Sequence, residues 1–120
     1  MVRRQSEQAV TVNEKMRGGD GAVRLEALLS ADEMYKKGRL FSRIIIKPGC
    51  SIGYHVHENE MEAYAVVSGC GAYNDDGADT TISAGDVTYT SAGQGHSVAN
   101  ASGEDLVLLA LILYREVPHD

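Results

Sequence analysis

Residues 52–64 read IGYHVHENEMEAY. His55 and His57 stand two apart, and Glu62 follows five residues after the second. The chain has only 4 His, so half of them fall in this one short stretch. Along an extended strand successive side chains alternate between faces, which puts His55 and His57 on one side. Glu62 is an odd number of residues from both, and on one unbroken strand it would face away. Reading residues 58–61 (ENEM) as a four-residue hairpin loop removes the conflict. His57 then lies opposite Glu62 and His55 opposite Tyr64, and directly opposed residues share a face at Cβ separations of roughly 5 Å. Two imidazoles and a carboxylate on one side of a ribbon resemble the facial two-His, one-carboxylate pattern, which leaves coordination positions open.

Working outward, the chain carries strand signals on both sides of this stretch. RLFSRIIIK (39–47) is rich in β-branched residues and stops at Pro48-Gly49; EAYAVVS stops at Gly69. NDDG (74–77) reads as a turn between GAY and DTTIS, DVTYTS follows Ala84-Gly85, HSVAN follows a glycine-rich GQG, and DLVLLALILY comes last. If HSVAN is a strand, His96, Val98 and Asn100 share a face, although nothing local brings that face to His55 and His57. The one helical turn expected is SADEMYKK, with Ser30 capping a first turn that holds Asp32 and Glu33. Many short strands, 13 Gly and closely spaced turns indicate an all-β sandwich or barrel. Residues 1–20 are expected to form a polar N-terminal arm and lead-in, with MRGGDG (16–21) a flexible approach that lacks a phosphate-loop pattern; residues 21–120 are expected to form the barrel.

Composition narrows the function classes. A 120-residue chain fits one domain with a real core. Its formal net charge of -6 argues against nucleic acid, which calls for a basic face, and against an anionic membrane surface. LVLLALILY is too short to span a bilayer as a helix. The basic start MVRRQSEQAV has no apolar core behind it, so no secretory leader is expected and the protein is read as cytoplasmic. Cys50 and Cys70 each follow a glycine and are expected to be free thiols beside turns.

The stretch GCSIGYHVHENEMEAYAVVSG resembles the first motif of the cupins, filled by Gly49, His55, His57, Glu62 and Gly69. GDVTYTSAGQGHSVAN resembles the second, with Gly85, Gly93, His96 and Asn100 at the family's spacing; Ser91 stands where the family usually has Pro, a turn position and not a ligand. The short spacer, residues 70–84, is similar to that of small single-domain bacterial cupins. The resemblance implies a double-stranded β-helix, or jelly-roll, barrel. It also implies one divalent transition metal on His55, His57, Glu62 and His96. Three nitrogens and one oxygen suit Fe, Mn, Co, Ni, Cu or Zn, and the resemblance favours Fe or Mn. Cys50, of opposite parity to His55, is not expected to ligate.

Strand parity gives candidates for the pocket wall. Ser51 and Gly53 are expected to face inward with the histidines, and Tyr64 and Val66 from the partner strand. Tyr64 is a candidate to donate a hydrogen bond to a ligand on the metal. Arg43, in an otherwise apolar strand, is a candidate to reach inward and hold a substrate carboxylate; an outward salt bridge is the alternative. Tyr54, Tyr73, Tyr89 and Gln94 are weaker candidates. His119 is expected to be solvated. Glu58, Glu60, Asp75 and Asp76 read as loop residues, which leaves no evident general acid or base beside the metal.

Fold does not decide function here. The favoured reading is an enzyme acting on a small oxygenated or carboxylate substrate at the metal, with dioxygenase-like chemistry slightly favoured over isomerase or decarboxylase chemistry. The other is a binding or sensing protein that uses the same pocket without turnover. The last strand adds an expectation about assembly. Leu106, Leu108, Ala110 and Ile112 would line one face, and Val107, Leu109, Leu111 and Leu113 the other. One set can fill the core, and the second needs cover, which predicts a homodimer, with the N-terminal segment a candidate for exchange.

Overall fold

A computed structural model describes residues 1–118, so His119 lies outside the described residues. The strands are β1 (Val10–Glu14), β2 (Ala22–Leu29), β3 (Gly38–Ile46), β4 (Ser51–Val56), β5 (Glu60–Ser68), β6 (Cys70–Asp75), β7 (Ala78–Ser83), β8 (Val87–Thr90), β9 (Gly95–Ala99) and β10 (Leu106–Tyr114). They form a six-stranded sheet in the order β1-β2-β3-β10-β5-β8 and a four-stranded sheet in the order β4-β9-β6-β7. Every pairing is antiparallel. The two sheets close over a common interior as a jelly roll. No helix among the described residues is long and apolar enough to cross a membrane.

Alternation builds the core. On β10, Leu106, Leu108, Ala110 and Ile112 are buried. They meet Ile44 and Ile46 of β3 and Val66 of β5 inside the barrel. The other set, Val107, Leu109 and Leu111, is half-buried on the outer face, where it lies beside Ile45 and Phe41 on one side and Ala65 and Ala63 on the other. A two-residue turn joins β6 to β7. Asp76 and Gly77 both adopt positive φ (48° and 99°) between the paired Asp75 and Ala78, the geometry that matches the twist of a tight hairpin.

The local pairing around the two histidines differs from the ribbon expected from sequence. β4 pairs with β9, whereas β5 pairs with β10 and β8. Residues 57–59 therefore cross from one sheet to the other, with Asn59 left-handed (φ 57°). His57 is held at the crossing by two backbone bonds, its N–H donating to Gln94 O (3.0 Å) and its C=O accepting from Gly93 N–H (2.7 Å). His57 and Glu62 do meet, but across the barrel interior and not as neighbours on one ribbon.

A bulge corrects a second expectation. Ile52 pairs with Val98 and His55 with His96, so three steps on β4 oppose two on β9. The extra residue reverses parity, and Ile52 and His55 both face inward. Ser51 and Gly53 instead face residues 16–20. There a Cβ on Gly53 would run into Arg17 O, and one on Gly19 into Ser51 O. The glycine-rich lead-in is thus packed onto β4, and Ser51 Oγ accepts the Asp20 N–H at 2.8 Å.

Two further segments are more ordered than expected. β1 extends the large sheet, Val10 pairing with Glu26 and Glu14 with Ala22. Ser30 and Glu33 cap each other: Glu33 N–H donates to Ser30 Oγ (3.1 Å) and Ser30 N–H to Glu33 Oε1 (2.9 Å). The turn does not propagate, because Tyr35 and Lys36 take left-handed φ of 56° and end it.

Candidate metal centre

Four side chains from three strands and one crossing converge inside the barrel. β4 supplies His55, the crossing His57, β5 Glu62 and β9 His96. One donor atom from each lies within 4.8 Å of all the others. Glu62 Oε1 is 3.0 Å from His57 Nε2, 2.9 Å from His96 Nε2 and 4.0 Å from His55 Nε2. The Nε2 atom of His96 is 3.1 Å from that of His57 and 3.2 Å from that of His55. His57, Glu62 and His96 are buried, and His55 is nearly so.

The outer nitrogens explain why the inner ones are free to ligate. His55 Nδ1 donates to Gly53 O at 2.8 Å, and His57 Nδ1 donates to the Glu60 carboxylate at 2.8 Å. Both acceptors take a proton and give none, so each hydrogen-bond network assigns a bare lone pair to Nε2. On His96, Nδ1 sits 2.8 Å from Tyr73 Oη and 3.0 Å from Thr90 Oγ1. Bare lone pairs aimed at one another beside a carboxylate repel, and a cation among them turns the repulsion into attraction. The residues therefore fit a divalent transition metal with mixed nitrogen and oxygen ligation.

The electrostatics agree. Burial opposes the charge on Glu62, but in the metal-free protein a ring proton shared with it from the His57 and His96 side, which a cation would displace, holds its carboxyl down to about 2. Burial depresses His55, and the neighbouring imidazoles add to it, so this ring stays neutral. Burial also disfavours a charged His57, yet the bonds to Glu62 and Glu60 outweigh it and raise that ring. Arg39 pins Glu60 in a bidentate pair at 2.7 and 2.7 Å, which together with the bond to His57 holds Glu60 below its ordinary value against its burial.

A cupin-domain family model matches residues 42–112, the span that contains all four side chains. The chain belongs to the cupin family. The oxalate-binding protein of Thermotoga maritima is 44% identical over 113 residues, 94% of this chain and 93% of that one. A crystal structure from the same organism, described as a predicted oxalate decarboxylase, superposes with a TM-score of 0.91 at 44% identity, covering 95% of this cupin and 99% of that chain. The cupin domain of Schizosaccharomyces pombe Cnp3 shares the fold alone, with a TM-score of 0.71 at 9% identity over 87% of this chain and 68% of that one.

Of the other sequence candidates, Tyr64 lies inside this cupin barrel and Arg43 does not. Tyr64 is buried and stacks on His96 with ring centroids 5.1 Å apart and planes 17° from parallel. It is thus beside His96, not opposite His55, and burial together with the Glu62 charge pushes its phenol well above the ordinary range. Arg43 corrects an expectation. Its parity on β3 is opposite to that of the buried Ser42 and Ile44, so its side chain lies on the outer face. There it bonds Glu26 at 3.0 Å and Gln8 at 3.2 Å. Gln94 caps its own loop through the Ser91 N–H.

Sequence reasoning missed the residues behind the cluster. Glu60 reads as a loop residue in the sequence, yet it opens β5 with the same parity as Glu62 and Tyr64, and all three are buried. The alternation of EMEAY carried that signal. Arg39 and Arg17 had no such signal, because what places them is the cavity in front of the histidines. That cavity, of about 30 Å³, is walled by His55, His57, Glu62 and Tyr64 together with Arg17 and Arg39. A larger hollow of about 570 Å³, bordered by Tyr54, Asn74 and Ser97, takes in none of the four converging side chains, so volume does not locate the chemistry.

Proposed function

We propose that this cupin holds one divalent transition metal, iron or manganese in preference to nickel, zinc, cobalt or copper, on His55, His57, Glu62 and His96. We propose further that it binds a small carboxylate or similar oxygenated ligand there. The observation that carries this reading is the convergence of three imidazole nitrogens and one carboxylate oxygen, with the outer nitrogens engaged elsewhere and a small cavity in front of His55, His57 and Glu62. A bound metal would supply an electrophile whose remaining positions accept oxygen ligands. The chain supplies the rest: Gly53 and Glu60 orient two of the rings, Tyr73 and Thr90 contact the third, and Tyr64 covers His96 and excludes water from it. The 44% identical oxalate-binding protein supports a carboxylate as the ligand.

Binding without turnover is favoured over catalysis because the cavity wall offers no free proton carrier. Glu60 is tied to both Arg39 and His57, and the Tyr64 phenol is held protonated. The competing reading is an enzyme, of dioxygenase or decarboxylase type, and the similar structure described as a predicted oxalate decarboxylase supports the latter. Metal-loaded protein incubated with oxalate and other small carboxylates separates them. Binding heat with no O₂ consumed and no CO₂ or formate released supports the binding protein. Release or uptake above a metal-only control supports the enzyme, and no binding heat with any carboxylate defeats both.

We propose a homodimer built on the outer face of the large sheet, where Val107, Leu109 and Leu111 are flanked by the exposed Val87 and Tyr89. Light scattering near the 12.9 kDa of one chain would defeat it. The net charge of -6 supports a small-molecule partner in place of nucleic acid or a membrane surface, and the two free cysteines support a cytoplasmic setting.

A further inference from the structure

The cavity in front of His55, His57 and Glu62 carries two arginines, and they are in different states. Arg39 is neutralised by its bidentate pair with Glu60. Arg17 enters none of the ion pairs among the described residues, whose cations are Arg3, Arg24, Arg39, Arg43, Lys47 and the cluster histidines. In a chain of net charge -6, an unpaired guanidinium beside a buried ligand cluster stands against the prevailing field.

Its backbone is placed with care. Lys15 and Arg17 both adopt left-handed conformations (φ 49° and 54°), which side-chain-bearing residues seldom do. The loop is closed by Lys15 N–H on Gly21 O at 2.8 Å and fastened to β4 by Ser51 N–H on Asp20 O at 2.9 Å. Arg17 O lies against Gly53, where no side chain would fit. The position is therefore set by the fold, while the side chain itself stays exposed at the cavity edge.

Charge then selects the ligand. Three neutral imidazoles and the Glu62 carboxylate around a divalent cation leave one positive charge. The Arg39–Glu60 pair adds nothing, and Arg17 adds a second. Resting on the carboxylate-binding reading above, we infer that Arg17 is a specificity-determining residue that recruits a dianion, a short dicarboxylate with one carboxylate toward the ligand cluster and the other toward the guanidinium. A planar guanidinium matches a carboxylate through paired N–H donors. The cavity is small and Arg17 stands at its exposed edge, so the shortest such ligand spans the two best, two carboxylates joined directly or through one carbon.

The test is calorimetric titration of manganese-loaded protein with oxalate, malonate and acetate, for the wild type, Arg17→Gln and Arg17→Lys. Arg17→Gln is expected to weaken oxalate roughly 10- to 100-fold, the scale of a lost charged hydrogen bond, and to leave acetate within about twofold of wild type. Metal content by elemental analysis and the melting temperature should stay at wild-type values, and Arg17→Lys should recover part of the loss. Equal oxalate affinity in wild type and Arg17→Gln would overturn the assignment while leaving the carboxylate reading standing. An equal loss for acetate and oxalate would also overturn it, because Arg17 would then serve any anion. A wild type that takes up metal and binds none of the three acids would sink the carboxylate reading itself, and this inference with it.

Discussion

Strand β5 and strand β10 lie side by side in the large sheet, and both send alternate residues into the barrel. The inward residues of β10 are apolar throughout: Leu106, Leu108, Ala110 and Ile112. Those of β5 change along the strand, from Glu60 and Glu62 through Tyr64 to Val66. One end of the same interior is therefore a polar cluster and the other a packed hydrocarbon core. β9 shows the same gradient in three residues, since His96 belongs to the cluster while Val98 belongs to the core. Alternation decides which face a side chain takes, and position along the strand decides which end of the barrel it serves. The polar end is tolerable because its charges are paired or hydrogen-bonded, whereas the apolar end holds the molecule together.

That division can be broken from either end. Leu108→Ala removes a fully buried side chain from the apolar end and should cost about 2–5 kcal/mol of unfolding free energy, read by chemical denaturation. Metal affinity of the folded fraction should not move. If affinity falls as far as stability, the two ends are not separable. His57→Ala acts at the other end. Metal affinity, measured by chelator competition, should drop by well over 100-fold, since even partners that only orient a ligand cost 10–100-fold. The metal-free variant should also melt below the metal-free wild type, because Glu60 and Glu62 lose a buried partner, so affinity is compared on the folded fraction. Retention of wild-type affinity would remove His57 from the ligand set.

Smaller changes sharpen the boundary. Glu60→Gln keeps the size of the group that holds His57 Nδ1 but removes the charge that pairs with Arg39. Affinity should fall roughly 10-fold, and an unchanged value would make Glu60 a purely structural ion pair. The mildest expectation concerns pH. The proton on His57 competes with metal, and the raised value of this ring means that competition begins above the usual imidazole value of 6.5. Glu62, held to about 2, remains charged and takes no part in that range. Affinity should therefore fall by up to about tenfold for each pH unit below the His57 value, as one proton is displaced per ion bound. The sign reverses for the metal-free protein, in which the protonated His57 is stabilised by Glu62 and Glu60. That contribution is fully present below the unfolded value and is lost as pH rises through the folded one. A metal-loaded protein whose affinity is flat from pH 8 to pH 5 would contradict the site.

His55, His57 and Glu62 were legible together because their spacing is local, whereas His96 joined them only through the resemblance of residues 49–69 and 85–100 to the two cupin motifs. Alternation carries the inward faces of β10 and of His96, Val98 and Asn100. What could not be read is long-range. Nothing in IGYHVHENEMEAY shows that its two halves belong to opposite sheets, because a tight polar link serves a hairpin and a crossing equally well. The bulge after Ile52 arises where β4 meets β9, some forty residues away in the chain, so the parity of Ser51 and Gly53 could not be fixed locally. Arg43 was ambiguous for the same reason: its outward partner, Glu26, sits across the register on β2.

The central position of β10 has a kinetic consequence. Ribosomal synthesis delivers β3 and β5 well before the strand that must lie between them. Until Leu106–Tyr114 leaves the ribosome, both neighbours present unpaired edges and an unfilled interior. The nascent chain must therefore wait, with sticky edges, for this hydrophobic segment, and contacts this distant in sequence form slowly. The placement of that single strand predicts that fragments stopping short of residue 106 aggregate on synthesis, which solubility of truncated chains would check.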